Sequence, residues 1–220
     1  MKKLPYLVLA LALVFGFSSV SFAEISGSKH DFSSDPNTGN QICVPCHAPH
    51  NVATPVIPPL WNHEVTTATY IVYDSPTLDA DGGTLGQPSG STLLCLSCHD
   101  GTVAIDSFGG ATGTSFITGL SNLGTDLSND HPISFTYDTT LANTDGGLFD
   151  PGPGGPDVTI GSGTFTRTGK IQDVMLQNDQ LQCASCHDVH NDFVASGIGG
   201  QPLLLISKIS SEICLTCHNK

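Results

Sequence analysis

The hydrophobic pattern divides the chain sharply. Lys2 and Lys3 precede an apolar run from Leu4 to Phe17, interrupted by Pro5, and Ser21-Phe22-Ala23 forms a small-x-small site. This order predicts a signal peptide over 1–23 with cleavage before Glu24, because the run is too short to span a bilayer. The rest of the chain holds no run long or apolar enough to cross a membrane. Glu64 to Tyr73 is rich in Thr, Val and Tyr and reads as a strand or extended segment. Ile133 to Tyr137 and Val158 to Arg167 alternate partially and read as short strands. Residues 43–51 and 95–105 read as short helices, and 171–190 and 203–218 as longer ones. Residues 75–91 and 107–130 are rich in turn formers, and Pro151-Gly152-Pro153-Gly154-Gly155-Pro156 reads as a linker or long turn.

Composition changes this picture. With 24 Gly, 14 Pro and only 12% charged residues, the chain is poorly suited to a helix bundle or a large regular sheet. The formal net charge is −13, from 7 Lys+Arg against 20 Asp+Glu. Nucleic acid and anionic lipid would be repelled by such a surface. The sequence shows no phosphate loop and no basic patch, and carboxylate pairs such as Asp188 and Asp192 read as solvated turns. Nothing in it points to an enzyme.

All 8 cysteines fall in four copies of C-x-x-C-H: Cys43-Val-Pro-Cys46-His47, Cys95-Leu-Ser-Cys98-His99, Cys183-Ala-Ser-Cys186-His187 and Cys214-Leu-Thr-Cys217-His218. This is the attachment signature of c-type haem, in which two thiols bond to the porphyrin and the adjacent His ligates the iron. Disulfides or paired zinc sites would not require a His after every second Cys. Four covalent haems (haem c) follow, with His47, His99, His187 and His218 as proximal iron ligands. Four porphyrins also supply the apolar mass that so Gly- and Pro-rich a chain lacks. The fold expected is coil-dominated: short haem-bearing helices and a few short strands wrapped around stacked haems.

Of 9 His, five remain: His30, His50, His63, His131 and His190. Met175 is the only Met outside the signal peptide and reads as a packing residue, so bis-histidine ligation is the economical arrangement. His50 and His190 stand three residues after a proximal His in a repeated pattern, C-x-x-C-H-x-x-H-N. Each lies too near its own motif to reach the far face of that haem, and so reads as the distal ligand of a haem packed alongside. His131 is held extended by Pro132 and reads as a third distal ligand. The motifs follow an A-B-A-B order, which predicts a single domain over 24–220 with a pseudo-duplication of two-haem units, about 40–135 and 170–220. His30 precedes every motif and reads as a ligand to a haem in a neighbouring subunit, a head-to-tail contact. His63 is the reserve, able to take the fourth distal place within the chain.

The C-x-x-C-H-x-x-H-N pattern, Leu94 to Thr102 (LCLSCHDGT) and the His131-Pro132 pair resemble the multihaem cytochromes of metal-reducing bacteria. The four haems and the early His resemble their tetrahaem filament-forming members. The resemblance implies electron export through a homopolymer. Its partners would be copies of itself, other multihaem cytochromes, and extracellular acceptors such as metal oxides or electrodes. It implies an extracellular or cell-surface location. A soluble monomeric periplasmic electron carrier is the alternative.

Overall fold

Turns dominate the chain, and the reason lies in its backbone. Among the described residues, nine non-glycine residues take positive φ, including Leu60, Asp81, Asn178, Asp179 and Leu203. Each is a point where neither helix nor strand can continue. The computed structural model describes residues 25–48, 60–161, 166–190 and 203–219. The segment expected to be a signal peptide, His50 and the C-x-x-C-H-x-x-H-N asparagines, Asn51 and Asn191, lie outside the described residues.

Four helices occur among them: α1 Gly90–His99, α2 Thr139–Asp145, α3 Ile171–Val174 and α4 Glu212–Cys217. Four short strands pair in two ribbons. β1 Phe135–Thr136 pairs antiparallel with β4 Gln180–Leu181, and β2 Asp157–Ile160 with β3 Arg167–Lys170. The α2 helix is well specified locally. The Asp138 carboxylate accepts from the Leu141 amide at its start, and Gly146 closes it with φ 67°.

Four expectations change. The helix expected over 171–190 stops after one turn at Val174. Asn178 and Asp179, at φ 52° and 59°, make a tight reversal that sends the chain back into β4. Only Glu212–Cys217 is α-helical within 203–218; a 3-10 turn over Ile209–Ser211 precedes it, with Ser210 and Ser211 at positive φ. The first motif forms a turn rather than a helix over its described part. In the second, the helix begins at Gly90, five residues before the motif, and ends at His99. The segment 64–73 keeps the extended alternative expected for it, pairing through a single bridge, Ile71 with Asp126.

The main core gathers Phe135, Tyr137, Leu141, Ile160, Ile171, Met175, Leu181 and Leu205. Met175, 3% exposed, is a packing residue. A smaller cluster joins Tyr70, Leu96 and Leu127. The Pro/Gly tract at 151–156 does not separate two bodies: β1 pairs with β4 across it, and the Gln172 amide donates to the Pro151 carbonyl. No helix among the described residues is long and apolar enough to cross a membrane.

Ile171 is fully buried, 0% exposed, at the point where β3, α3 and the main cluster meet. An Ile171→Ala substitution removes three carbons there and is expected to cost about 2–5 kcal/mol. Denaturant unfolding of the purified native protein, followed by far-UV circular dichroism, measures that loss.

Candidate metal and prosthetic-group site

The four C-x-x-C-H motifs take two conformations. In the first and third, the chain coils through a tight turn: the Cys46 and His47 amides both donate to the Cys43 carbonyl, and the Cys186 and His187 amides to the Cys183 carbonyl. A returning segment then clamps each turn from both sides. The Ala48 amide donates to the Leu60 carbonyl and the Asn62 amide to the Cys46 carbonyl. In the third motif, Asp188 donates to Leu203 and Leu205 to Cys186. Leu60 and Leu203 occupy equivalent places and share positive φ, 61° and 71°. The second and fourth motifs instead end the helices α1 and α4. Each passes a carbonyl to a strand-like neighbour: His99 accepts from the Leu123 amide at 2.7 Å, and Cys217 from the Phe149 amide at 2.8 Å. The A-B-A-B order of the sequence is therefore also an order of backbone hydrogen bonding.

None of the eight cysteines is disulfide-bonded. Among the described residues, no group of three or more His, Cys, Asp or Glu side chains could hold a bare metal ion. The thiols are mostly raised: burial pushes Cys46 and Cys186 to about 11, and Cys98 and Cys217 to about 12. Cys183 is the exception at about 7, because Cys95 and then Thr92 hydrogen-bond to it.

The histidines stand in pairs. His47 faces His190 with ring centroids 6.1 Å apart, His99 faces His30 at 6.1 Å, and His218 faces His131 at 6.3 Å. Every pair joins one motif histidine to one histidine outside the motifs. Two imidazoles on opposite sides of one metal ion, each bonded at about 2 Å with its ring centre about 1 Å behind the nitrogen, would stand about 6 Å apart. The pairs fit that separation.

Second partners fix which nitrogen is free to ligate. The Nδ1–H of His99 donates to the Ser121 carbonyl at 2.7 Å, that of His131 to the Pro132 carbonyl at 2.8 Å, and that of His190 to the Asp188 carboxylate at 3.2 Å. Each leaves Nε2 as the lone-pair nitrogen, the arrangement in which an outer partner orients a metal-binding histidine. The Asp188 hydrogen bond raises His190 and lowers Asp188. Asp188 thus does more than the solvated turn expected of it, and the missed signal is its place two residues before a repeated His. His30 is lowered, first by burial and then by His99, and its Nδ1 is buried without a hydrogen-bond partner. The donor set, four Cys pairs with His pairs beside them, fits haem.

His30 stands beside His99 of its own chain, with ring centroids 6.1 Å apart. His63, held in reserve, is 2% exposed, with its ring nitrogens 2.7 and 3.0 Å from the Glu64 and Ala104 carbonyl oxygens. His187 is lowered by burial and by His99, and His50, a further candidate distal ligand, lies outside the described residues.

A further buried group stands out beside the second motif. Asp100, 4% exposed, accepts from the Tyr70 hydroxyl at 2.6 Å and the Thr66 hydroxyl at 2.7 Å, and its other oxygen accepts from the Thr102 amide and hydroxyl. Burial alone would raise its carboxyl, but these four donors outweigh it and hold the group below 3.8. Gly101 follows with φ 74°, where a Cβ would strike the Asn122 side chain. The chain matches no protein-family model, and no curated protein matches it.

A lowered carboxyl contributes stability that is complete above its unfolded value and is lost as pH falls through its folded one. The contribution of Asp100 should therefore be intact above about pH 4 and fade below it. An Asp100→Asn variant should be less stable at pH 7 by about 1–3 kcal/mol. It should also lose that part of the acid-limb slope, as read from denaturation midpoints between pH 2 and 7.

Proposed function

We propose that this protein is an exported tetrahaem c-type cytochrome that carries electrons. The observation that carries the proposal is the pairing of His47, His99 and His218, each beside a C-x-x-C pair, with His190, His30 and His131. Each haem, when bound, supplies an iron that takes up and releases one electron. The cysteine pairs hold the porphyrins covalently, so an exported chain cannot lose them. The paired histidines would hold each iron between them and leave it no position for a small substrate, which favours transfer over catalysis. Histidine in both positions, rather than Met with His, favours low potentials. Ser121, Pro132 and Asp188 hold three of these rings in the ligating tautomer. His50 and His63 are the histidines left for the iron beside His187; with His50 there, the two A-type motifs would exchange ligands, His190 to the first and His50 to the third.

We infer that the chain works as a self-contained unit. The head-to-tail reading required a histidine with no iron to serve in its own chain, and His99 gives His30 one. The net charge of −13 favours electropositive partners at the point of exchange.

Three measurements test this. A pyridine haemochrome assay on the purified native protein should count four haems per chain, and a lower count would refute the assignment. The oxidised protein should give only low-spin haem signals in electron paramagnetic resonance. His131→Ala and His30→Ala should each turn one of the four high-spin and leave three unchanged. The native protein should run at monomer mass by light scattering and show no fibres in negative-stain microscopy. Fibres lost on His30→Ala would instead restore the intersubunit ligand.

A further inference from the structure

Seven large apolar side chains stand exposed among the described residues, and four of them belong to one place. Phe116, Leu120 and Leu123 are 51%, fully and 45% exposed on the loop that follows the second motif. Ile71, 62% exposed, is tied to the same loop. Its amide donates to the Thr125 carbonyl at 3.0 Å, and its carbonyl accepts from the Leu127 amide at 2.8 Å. The loop is pinned at its start as well, where the Ile105 amide donates to the Ser115 carbonyl at 2.8 Å, and in its middle, where the Leu123 amide donates to the His99 carbonyl. A 3-10 turn over Gly119–Ser121 carries Leu120. Asn122 braces that turn: its side-chain amide donates to the Ile117 carbonyl at 3.3 Å, and its side-chain oxygen accepts from the Gly124 amide at 3.0 Å. Exposed apolar side chains gathered in one place mark an interaction surface, and a braced loop loses little freedom when a partner covers it.

Carboxylates flank the loop at both ends. The Asp106 carboxylate accepts from the Thr114 and Ser115 amides at its start, and the Asp126 carboxylate accepts from the Ser128 amide and hydroxyl at its end. The Ser115 amide and the Ser128 hydroxyl hold these two carboxyls below the ordinary carboxylate value, so both are ionised at neutral pH. No Lys or Arg occurs in the sequence between Lys29 and Arg167. The His30–His99 contact brings one lysine, Lys29, toward this side. A second copy of this chain would bring the same excess of carboxylates to such a contact. A partner surface of opposite sign with an apolar centre complements it better.

We propose that the loop over 115–127, together with Ile71, is the docking surface for an electron-exchange partner protein that presents apolar side chains ringed by lysines. That the partner exchanges electrons rests on the function proposed above; that it is cationic and seats here rests on the surface alone. The apolar side chains exclude water and set the fit, while Asp106 and Asp126 steer the approach. The position suits exchange. The Ser121 carbonyl of this loop accepts from the Nδ1–H of His99 at 2.7 Å, so a partner seated on the loop lies against the outer support of a candidate iron ligand.

The test uses the purified native protein. The probe is mitochondrial cytochrome c, a lysine-rich redox protein, and the control is the same protein with its lysines succinylated. Isothermal titration calorimetry at low and high salt should show binding of the probe that weakens as salt rises, and none of the control. A Phe116→Ser, Leu120→Ser double variant should bind about tenfold more weakly. Asp126→Asn should reduce the salt dependence. Ile209→Ser, at an exposed apolar position elsewhere, should leave the affinity unchanged. Should the double variant not fold, Leu120→Ser alone, at a fully exposed position, gives the same reading in the same direction. No binding of the probe at low salt overturns the proposal, and so does equal affinity in the folded loop variant. Self-association of the native protein by light scattering, abolished in the loop variant, overturns it as well, by seating a second copy there. Haem counting separates the two claims. Four haems with no binding at the loop refute the docking surface alone, whereas loop-dependent binding by a chain without haem leaves the surface standing and refutes electron exchange.

Discussion

The imidazole pairs of this chain are each assembled from distant stretches of sequence. The histidine pairs join position 47 to 190, 30 to 99, and 131 to 218. Much else in the structure serves that assembly. The turns at the A-type motifs are clamped by segments that return from outside them. The small strand pair β1–β4 ties the middle of the chain to the entry of the third motif. Buried polar side chains lock the junction between the second and third motifs: the Thr92 amide donates to the Gln182 side chain, and the Cys183 amide to the Thr92 hydroxyl. A side chain that fully satisfies two backbones at once fixes their separation more sharply than apolar contact does.

This accounts for the composition. Few residues are free to build a core of the ordinary kind, and the main apolar cluster serves chiefly to brace the stretch from Phe135 to Leu205. Where the chain must change direction sharply it uses Gly, Asn, Asp and, at two equivalent places, Leu in the left-handed region. Leu60 and Leu203 pay the strain of that conformation because the clamp they begin is shared by both A-type motifs.

The residues of the candidate site were more legible in the sequence than their arrangement. The covalent signature is local: two thiols and a histidine within five residues carry their meaning wherever the chain goes, and the tally of nine histidines bounds the ligand set. The pairings are long-range and leave no trace in spacing, so nothing in the sequence places His30 beside His99, or Ala104 against the second ring nitrogen of His63. The helix expected over 171–190 failed at Asn178-Asp179, whose tolerance of positive φ outweighed an otherwise helical composition. The return clamps were invisible because Leu60-Trp61-Asn62 and Leu203-Leu204-Leu205 share a backbone geometry and only one residue type.

The His47–His190 pair has a consequence for how such a chain is made. A chain made or exported amino end first delivers the first motif while the residue that faces it is still some 140 positions behind. On the proposed reading, assembly would be asymmetric in time: a group held at the first motif would keep one face uncovered, open to small ligands and to stray histidines, until the late half of the chain closed it. The most vulnerable moment would be the interval between the delivery of residue 47 and that of residue 190.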